Sequence, residues 1–221
     1  MLSKRLAKIL DFISETDLVA DVGTDHGYLL ESCLNDKHVK FVQGIENKKG
    51  PFNRALSNLS KYIEEGIAVL SLSDGLTELD SSINTVVIAG MGGELISRII
   101  ENDIDKARKV DKLILEANSR EFELRKFLSK NHFEIVDEAI VYDHSKYYEI
   151  IQTRYNSNSS ELSTKSCFFG PKLMINQSTD FKNKWNKKLA EINKILKECP
   201  NLKTLYDVKT IIEEVLDDKS F

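Results

Sequence analysis

Carboxylates and glycines are the residues of this sequence best placed to do chemistry. Asp21, Asp25, Glu46 and Asp74 each fall at or just past a short apolar run, with glycines close by. The densest cluster is Ala20-Asp21-Val22-Gly23-Thr24-Asp25-His26-Gly27-Tyr28. An apolar run, Leu18-Val19-Ala20, leads into it, and a helical pattern follows. A strand, a glycine turn and a helix in that order open a nucleotide- or nucleoside-binding α/β unit. A dinucleotide loop reads G-x-G-x-x-G and offers bare backbone to a pyrophosphate. Here Asp25 stands where the second glycine would, so a pyrophosphate is repelled and a cationic ligand is favoured.

Three further turns share this character. Glu46 follows Gly27 by 19 residues, the place of an acid that holds ribose hydroxyls, and Asn47 comes next. Asp74-Gly75 ends a third apolar run, where a carboxylate can accept the N6 hydrogens of an adenine. Ala89-Gly90-Met91-Gly92-Gly93 ends a fourth. Each feature has a bland explanation alone: a structural turn, a helix cap at Asp25, a turn residue at Asp74, packing at Met91. Together and in order they describe an adenosine pocket ringed by acids. The first turn contributes Asp21, Gly23, Thr24, His26 and Gly27, and the second Glu46 and Asn47. The third contributes Asp74 and Gly75, and the fourth Ala89, Gly90, Met91 and Gly92. S-adenosylmethionine suits such a pocket, because it carries a sulfonium and an ammonium and no phosphate. NAD would be strained there by Asp21 and Asp25.

The elements that must position these turns alternate along the chain. Helical spacing of Leu6, Ile9, Leu10 and Ile13 predicts a helix over 3–15. Strands are predicted at 18–22, 39–45, 67–72, 85–89 and 113–117. Helices are predicted between them at 28–35, at 51–64 with Pro51 in its first turn, and from 93 to 100. A helix over 120–130 follows, then strands at 133–141 and 147–153, joined by the turn Asp143-His144-Ser145-Lys146. This alternation means a mostly parallel, Rossmann-like sheet with a late hairpin at one end. The composition then changes. Residues 156–166 read as a polar linker, and 172–198 and 203–216 as two amphipathic helices broken at Cys199-Pro200-Asn201. The expected domains are therefore 1–155 and a helical, coiled-coil-like pair within 167–221.

The 221 residues are 41% hydrophobic and 30% charged, as in a globular chain with a real core. No apolar run is long enough to cross a membrane as a helix, and the N-terminus lacks a secretory h-region. Cys33, Cys167 and Cys199 are odd in number and far apart, which suits free thiols in a cytoplasmic protein. The four histidines show no ligand spacing, so no metal is expected. The net charge of −4 argues against a general nucleic-acid binder, yet residues 161–200 hold eight lysines against four acids. Lys4, Arg5 and Lys8 make the N-terminus basic as well. Either cluster is a solvated helical face or a footprint for phosphates.

Asp21-Val-Gly-Thr-Asp-His-Gly-Tyr-Leu29, Ser73-Asp-Gly-Leu76 and Ile88-Ala-Gly-Met-Gly-Gly93 closely resemble one family. It is the bacterial tRNA (adenine-N1)-methyltransferases that modify adenosine 22, the TrmK family. Gly50-Pro-Phe52, Tyr148-Glu-Ile150, Leu2-Ser-Lys-Arg-Leu6 and Phe169-Gly-Pro171 extend the likeness over essentially the whole chain. One departure follows the fifth strand: the family tends to show Gln-Pro-Asn, and this chain has Glu116-Ala117-Asn118. The resemblance implies a class I methyltransferase domain, S-adenosylmethionine as methyl donor, tRNA as partner and a C-terminal helical pair. The acceptor is then N1 of adenine, which needs exposure rather than a general base. Asp25 is the candidate for stabilising the positive charge on the methylated ring, and Asn118 for holding the adenine edge. Met91 or Tyr28 would pack on the base. Arg5, Lys182, Lys184, Lys187 and Lys188 would hold phosphates. A monomer with no obligate protein partner and no membrane contact is expected. The alternatives are an NAD-dependent oxidoreductase, a non-catalytic donor-sensing module that dimerises through the helical pair, and a methyltransferase acting on another RNA or on protein.

Overall fold

The computed structural model describes residues 2–217. In chain order the elements are α1 (Lys4–Leu10), β1 (Val19–Val22), α2 (Tyr28–Asp36), β2 (Val42–Glu46), α3 (Lys49–Glu64) and β3 (Ala68–Leu72). Then come β4 (Thr85–Gly92), α4 (Gly93–Asn102), α5 (Ile104–Ala107), β5 (Lys112–Ser119) and α6 (Glu121–Lys130). The hairpin β6 (Phe133–Asp143) and β7 (Lys146–Tyr155) precedes α7 (Thr164–Phe169), α8 (Pro171–Asn176), α9 (Thr179–Glu198) and α10 (Lys203–Asp217). The strands form one sheet in the order β3-β2-β1-β4-β5-β7-β6. β1 to β5 run parallel, and β7 is antiparallel to both its neighbours. This is the Rossmann-like, mostly parallel sheet that the alternation predicts. Every residue of β1 and β2 is buried, as befits parallel strands covered on both faces.

One core packs α4 and α6 on the sheet through Ile96, Ile100, Leu124 and Leu128. The opposite core packs α1 to α3 through Ile9, Leu30 and Leu59. Each such buried side chain contributes roughly 1.5–3 kcal/mol. The strand order reverses between β2-β1 and β4-β5, and a crevice opens at the carboxyl ends of β1 and β4, the switch point of the sheet. The four candidate turns all meet there.

Several boundaries differ from the sequence reading. α1 ends at Leu10, not 15, because the chain turns at Ser14, whose N–H is taken by Asp17. β2 starts at Val42 rather than 39, because Val39 donates to the Cys33 carbonyl and closes α2. β4 runs on to Gly92 through a bulge at Gly90, which sits at φ +77°. The hairpin turn is only His144-Ser145, at φ +44° and +67°, the two-residue geometry that matches strand twist. The expected helix over 172–198 is two helices. Gln177 takes a left-handed conformation and Ser178 then caps α9 through the Phe181 N–H. Residues 164–166, expected as linker, begin α7.

The C-terminal helices lie against the hairpin. Phe169, Phe181, Trp185, Ile192, Leu196 and Ile212 pack around Ile140 of β6. Beneath them runs a buried ionic chain. Arg125 is fully buried and donates from Nε to Glu138 Oε1 and from Nη2 to Glu149 Oε2, both at 2.7 Å. Glu149 Oε1 accepts from Lys184 Nζ at 2.5 Å, and Glu138 Oε2 from the Lys172 N–H at 2.9 Å. Burial pushes the Glu149 carboxyl upward, but Arg125 and Lys184 outweigh it and hold the group below its ordinary range.

Candidate functional site

The crevice has two chambers. The larger, of about 400 Å³, has Glu46 and Asn47 on one side, Asp74 and Gly75 on another, and Gly90 and Met91 across from them. The smaller, of about 130 Å³, is bounded by Arg5, Asp21, Thr24, His26 and Tyr28. Gly23, Asp25 and Ala89 line both, so the chambers adjoin at these residues. Gly23 sits at φ +78°, a conformation strained for any residue with a side chain, and an added Cβ would push the Met91 methyl group aside.

The carboxylates are pre-oriented by the chain itself. Glu46 accepts from the Lys48 N–H at 3.0 Å and from the Asp25 N–H at 3.3 Å. Asn47 donates its side-chain amide to Asp74 at 3.1 Å. Asp21 is buried, and desolvation pushes its carboxyl up to about 6 from an ordinary 3.8. Arg5 opposes that rise and Glu46 adds to it. Asp25 sits at φ +47° with its side chain 58% exposed, and accepts from Arg54 Nη2 at 2.9 Å. It does not cap α2. The N-cap is Gly27, with no side-chain hydrogen bond. His26 and Tyr28 stack face to face at the mouth, their ring centroids 5.2 Å apart.

Thus Asp21, Gly23, Thr24, Asp25 and His26 come together with Glu46, Asn47, Asp74, Gly75, Ala89, Gly90 and Met91. Gly27 and Gly92 serve instead as N-caps of α2 and α4. Asn118, expected at the adenine edge, lines neither chamber, and its carbonyl receives the Lys146 ammonium at 2.6 Å. Lys184, expected on phosphate, is found in an ion pair. Its charge is matched by buried Glu149, so it is not offered to phosphate, whereas Lys182, Lys187 and Lys188 are exposed on α9. Arg5 reaches the smaller chamber but is paired with Glu116. Sequence reasoning missed Arg54 and Glu116 as site residues. Nothing in their spacing relates Arg54 to Asp25 or Glu116 to Arg5, and only the folded sheet joins them.

The donor set suits a cationic nucleoside. Asp21, Asp25, Glu46 and Asp74 stand against three cations, Arg5, Lys48 and Arg54, and this excess of acids disfavours a dinucleotide phosphate. No group of three His, Cys, Asp or Glu able to hold a metal occurs among the described residues.

Comparison with known proteins gives the same reading independently. Residues 19–219 match the family model TrmK, tRNA (adenine(22)-N(1))-methyltransferase. A Bacillus subtilis tRNA (adenine(22)-N(1))-methyltransferase is 28% identical over 98% of this chain and 97% of its own length. The structure of Streptococcus pneumoniae Sp1610 in complex with S-adenosyl-L-methionine is 33% identical, with a TM-score of 0.88 over 98% of this chain and 100% of that one. M. capricolum TrmK in complex with S-adenosyl-homocysteine is 27% identical, with a TM-score of 0.81 over 98% of this chain and 96% of that one. With 201 of its residues spanned by the family model and its acid-lined crevice at the sheet's switch point, the chain belongs to the TrmK family of tRNA (adenine(22)-N(1))-methyltransferases.

Proposed function

We propose that this chain transfers a methyl group from S-adenosylmethionine to N1 of adenosine 22 in tRNA. The observation that carries the reading is the pair of acid-lined chambers that share Gly23, Asp25 and Ala89, the larger holding Glu46 and Asp74 and the smaller Asp21. The donor, when bound, supplies an electrophilic methyl group on a sulfonium. Every other contribution comes from the chain. Glu46 holds ribose hydroxyls with a carboxylate already fixed by two backbone N–H groups. Asp74, steadied by Asn47, accepts from the donor's adenine amino group. Asp21 meets the donor's ammonium, which keeps it ionised despite burial.

Adenine N1 is nucleophilic as it stands, so the chain needs no general base. It must draw the base out of its helical context and align it. The exposed Tyr28, stacked on His26, offers a surface for that base. Asp25 stands at the junction of the chambers, where positive charge moves from sulfur to ring, and its fixed carboxylate stabilises that charge throughout. Arg54 anchors it and tempers its strength. Lys182, Lys187 and Lys188, with Lys4 and Lys8 at the other end of the chain, hold tRNA phosphates. Residues 1–155 thus carry the chemistry and the C-terminal helices the RNA, in a monomer acting in the cytoplasm.

The test is radiolabelled methyl transfer to transcribed tRNA with adenosine or guanosine at position 22. Labelling of the adenosine form alone is expected. Equal labelling of both would overturn the substrate.

A further inference from the structure

A buried carboxylate, Glu116, lies beside the residues that line the two chambers. Glu116 lies at the end of β5, in register with Ala89, and is wholly buried. Its Oε2 accepts from the Gly90 N–H at 2.9 Å and from Arg5 Nη1 at 2.5 Å. Its Oε1 is equally buried and has no hydrogen-bond partner among the described residues. A buried carboxylate oxygen left unmatched is costly, and such an oxygen beside an active site invites a donor from the ligand.

We propose that Glu116 selects the target base, its Oε1 accepting a hydrogen from the exocyclic amino group of adenine. This rests on the methyl-transfer reading above and names how that site recognises its substrate. Three observations support it. First, position: Glu116 lines neither chamber itself, but it is registered with Ala89, which lines both, and is bonded to Gly90 of the larger and Arg5 of the smaller. Second, chemistry: an adenine that presents N1 to a methyl group also presents its amino group on the adjacent atom. An ionised carboxylate is acceptor-only and satisfies that amino group. Guanine presents a carbonyl oxygen at the same place and is repelled. Third, burial: the Glu116 side chain is shielded from water whereas that of Asp25 is 58% exposed, so a hydrogen bond to Glu116 discriminates more strongly between bases.

Arg5 keeps that carboxylate charged. It bonds Oε2, its side chain is 24% exposed, it lines the smaller chamber, and its guanidinium lies 5.5 Å from the Tyr148 ring centroid. Oε1 is the oxygen left for the amino group, so the buried charge stays paired with Arg5 when the base binds.

The experiment uses the full-length chain and tRNA ligated to carry either adenine or purine, which lacks the amino group, at position 22. Purine N1 is intrinsically the poorer nucleophile, so the readout is how the preference for adenine in kcat/KM changes between proteins. In Glu116→Ala that preference is expected to shrink roughly tenfold or more relative to the unmutated chain, the size of one hydrogen bond to a charged group. Glu116→Gln, which keeps shape and one acceptor, is expected to fall between. Asp21→Asn is expected to lower activity on both tRNAs and leave their ratio unmoved. If both Glu116 variants lose activity equally on the two tRNAs, the residue only supports the bulge and the proposal is overturned. Failure of the unmutated chain to label adenine at position 22 would instead remove the methyl-transfer reading, and this one with it.

Discussion

Replacing Asp21 by Asn separates what this residue does for the ligand from what it does to the fold. Asp21 is buried, and it keeps its proton up to about pH 6 in the folded chain against an ordinary value of 3.8. Between those values the folded state binds more protons than the unfolded one. Stability therefore falls as pH rises through this window, and the full cost of the buried charge is present above it. A shift of about two pKa units at 1.36 kcal/mol each puts that cost on the order of 3 kcal/mol. Asn carries no charge and removes it, less whatever its own amide lacks in partners, so a gain of roughly 1–3 kcal/mol is expected at pH 8 and almost none at pH 4. For a chain of this length that is roughly 2–12 °C in melting temperature. Urea unfolding at both pH values, followed by far-ultraviolet circular dichroism and by Trp185 fluorescence, measures it. Calorimetry with S-adenosylmethionine should show the opposite trend, with affinity lower in the variant and no longer weakening below pH 6. A variant no more stable than the unmutated chain at pH 8 would refute the claim that this buried charge is held for the donor at the expense of the free protein.

Two further outcomes test the scaffold and the RNA face. Arg125→Met leaves Glu138 and Glu149 buried with only Lys184 and backbone N–H groups beside them, so a loss of roughly 3–5 kcal/mol is expected. A midpoint in urea unfolding that barely moves would show that the ionic chain is idle. Neutralising Lys182, Lys187 and Lys188 together should weaken tRNA binding and lower the slope of log affinity against log salt by roughly two to three, with donor affinity intact. An unchanged slope would move the RNA footprint off α9.

What could be read in advance was whatever follows from chain order. Each of the acids Asp21, Glu46 and Asp74 sits at the end of its own strand, and strand ends converge in a parallel sheet whatever the side chains are. What could not be read was partnership across the sheet. Lys184 looks like its neighbours on α9 until Glu149, 35 residues earlier, is found against it. Arg5 is likewise claimed by a residue 111 positions away. The break at Gln177 hides for another reason. Leu173, Phe181, Trp185 and Ile192 all face one core, so the apolar rhythm continues across a left-handed residue that ends the helix. Asp25 shows the limit of motif reasoning. Its departure from glycine was visible, but its engagement with Arg54 and its freedom from any capping role were not.

The strand order has a consequence in time. β7 lies between β5 and β6, so β5 has no partner on its outer edge until the hairpin arrives. On a ribosome Ser119 emerges before Lys146, and translation at roughly 5–20 residues per second separates the two by a second or more. Throughout that interval Leu113, Ile114 and Leu115 stand at an open edge, ready to pair with any passing strand. The tight turn at His144-Ser145 shortens the wait, because β6 and β7 can zip together locally and dock as a unit. A late hairpin that closes fast thus protects the nascent chain at an edge that becomes interior to the finished sheet.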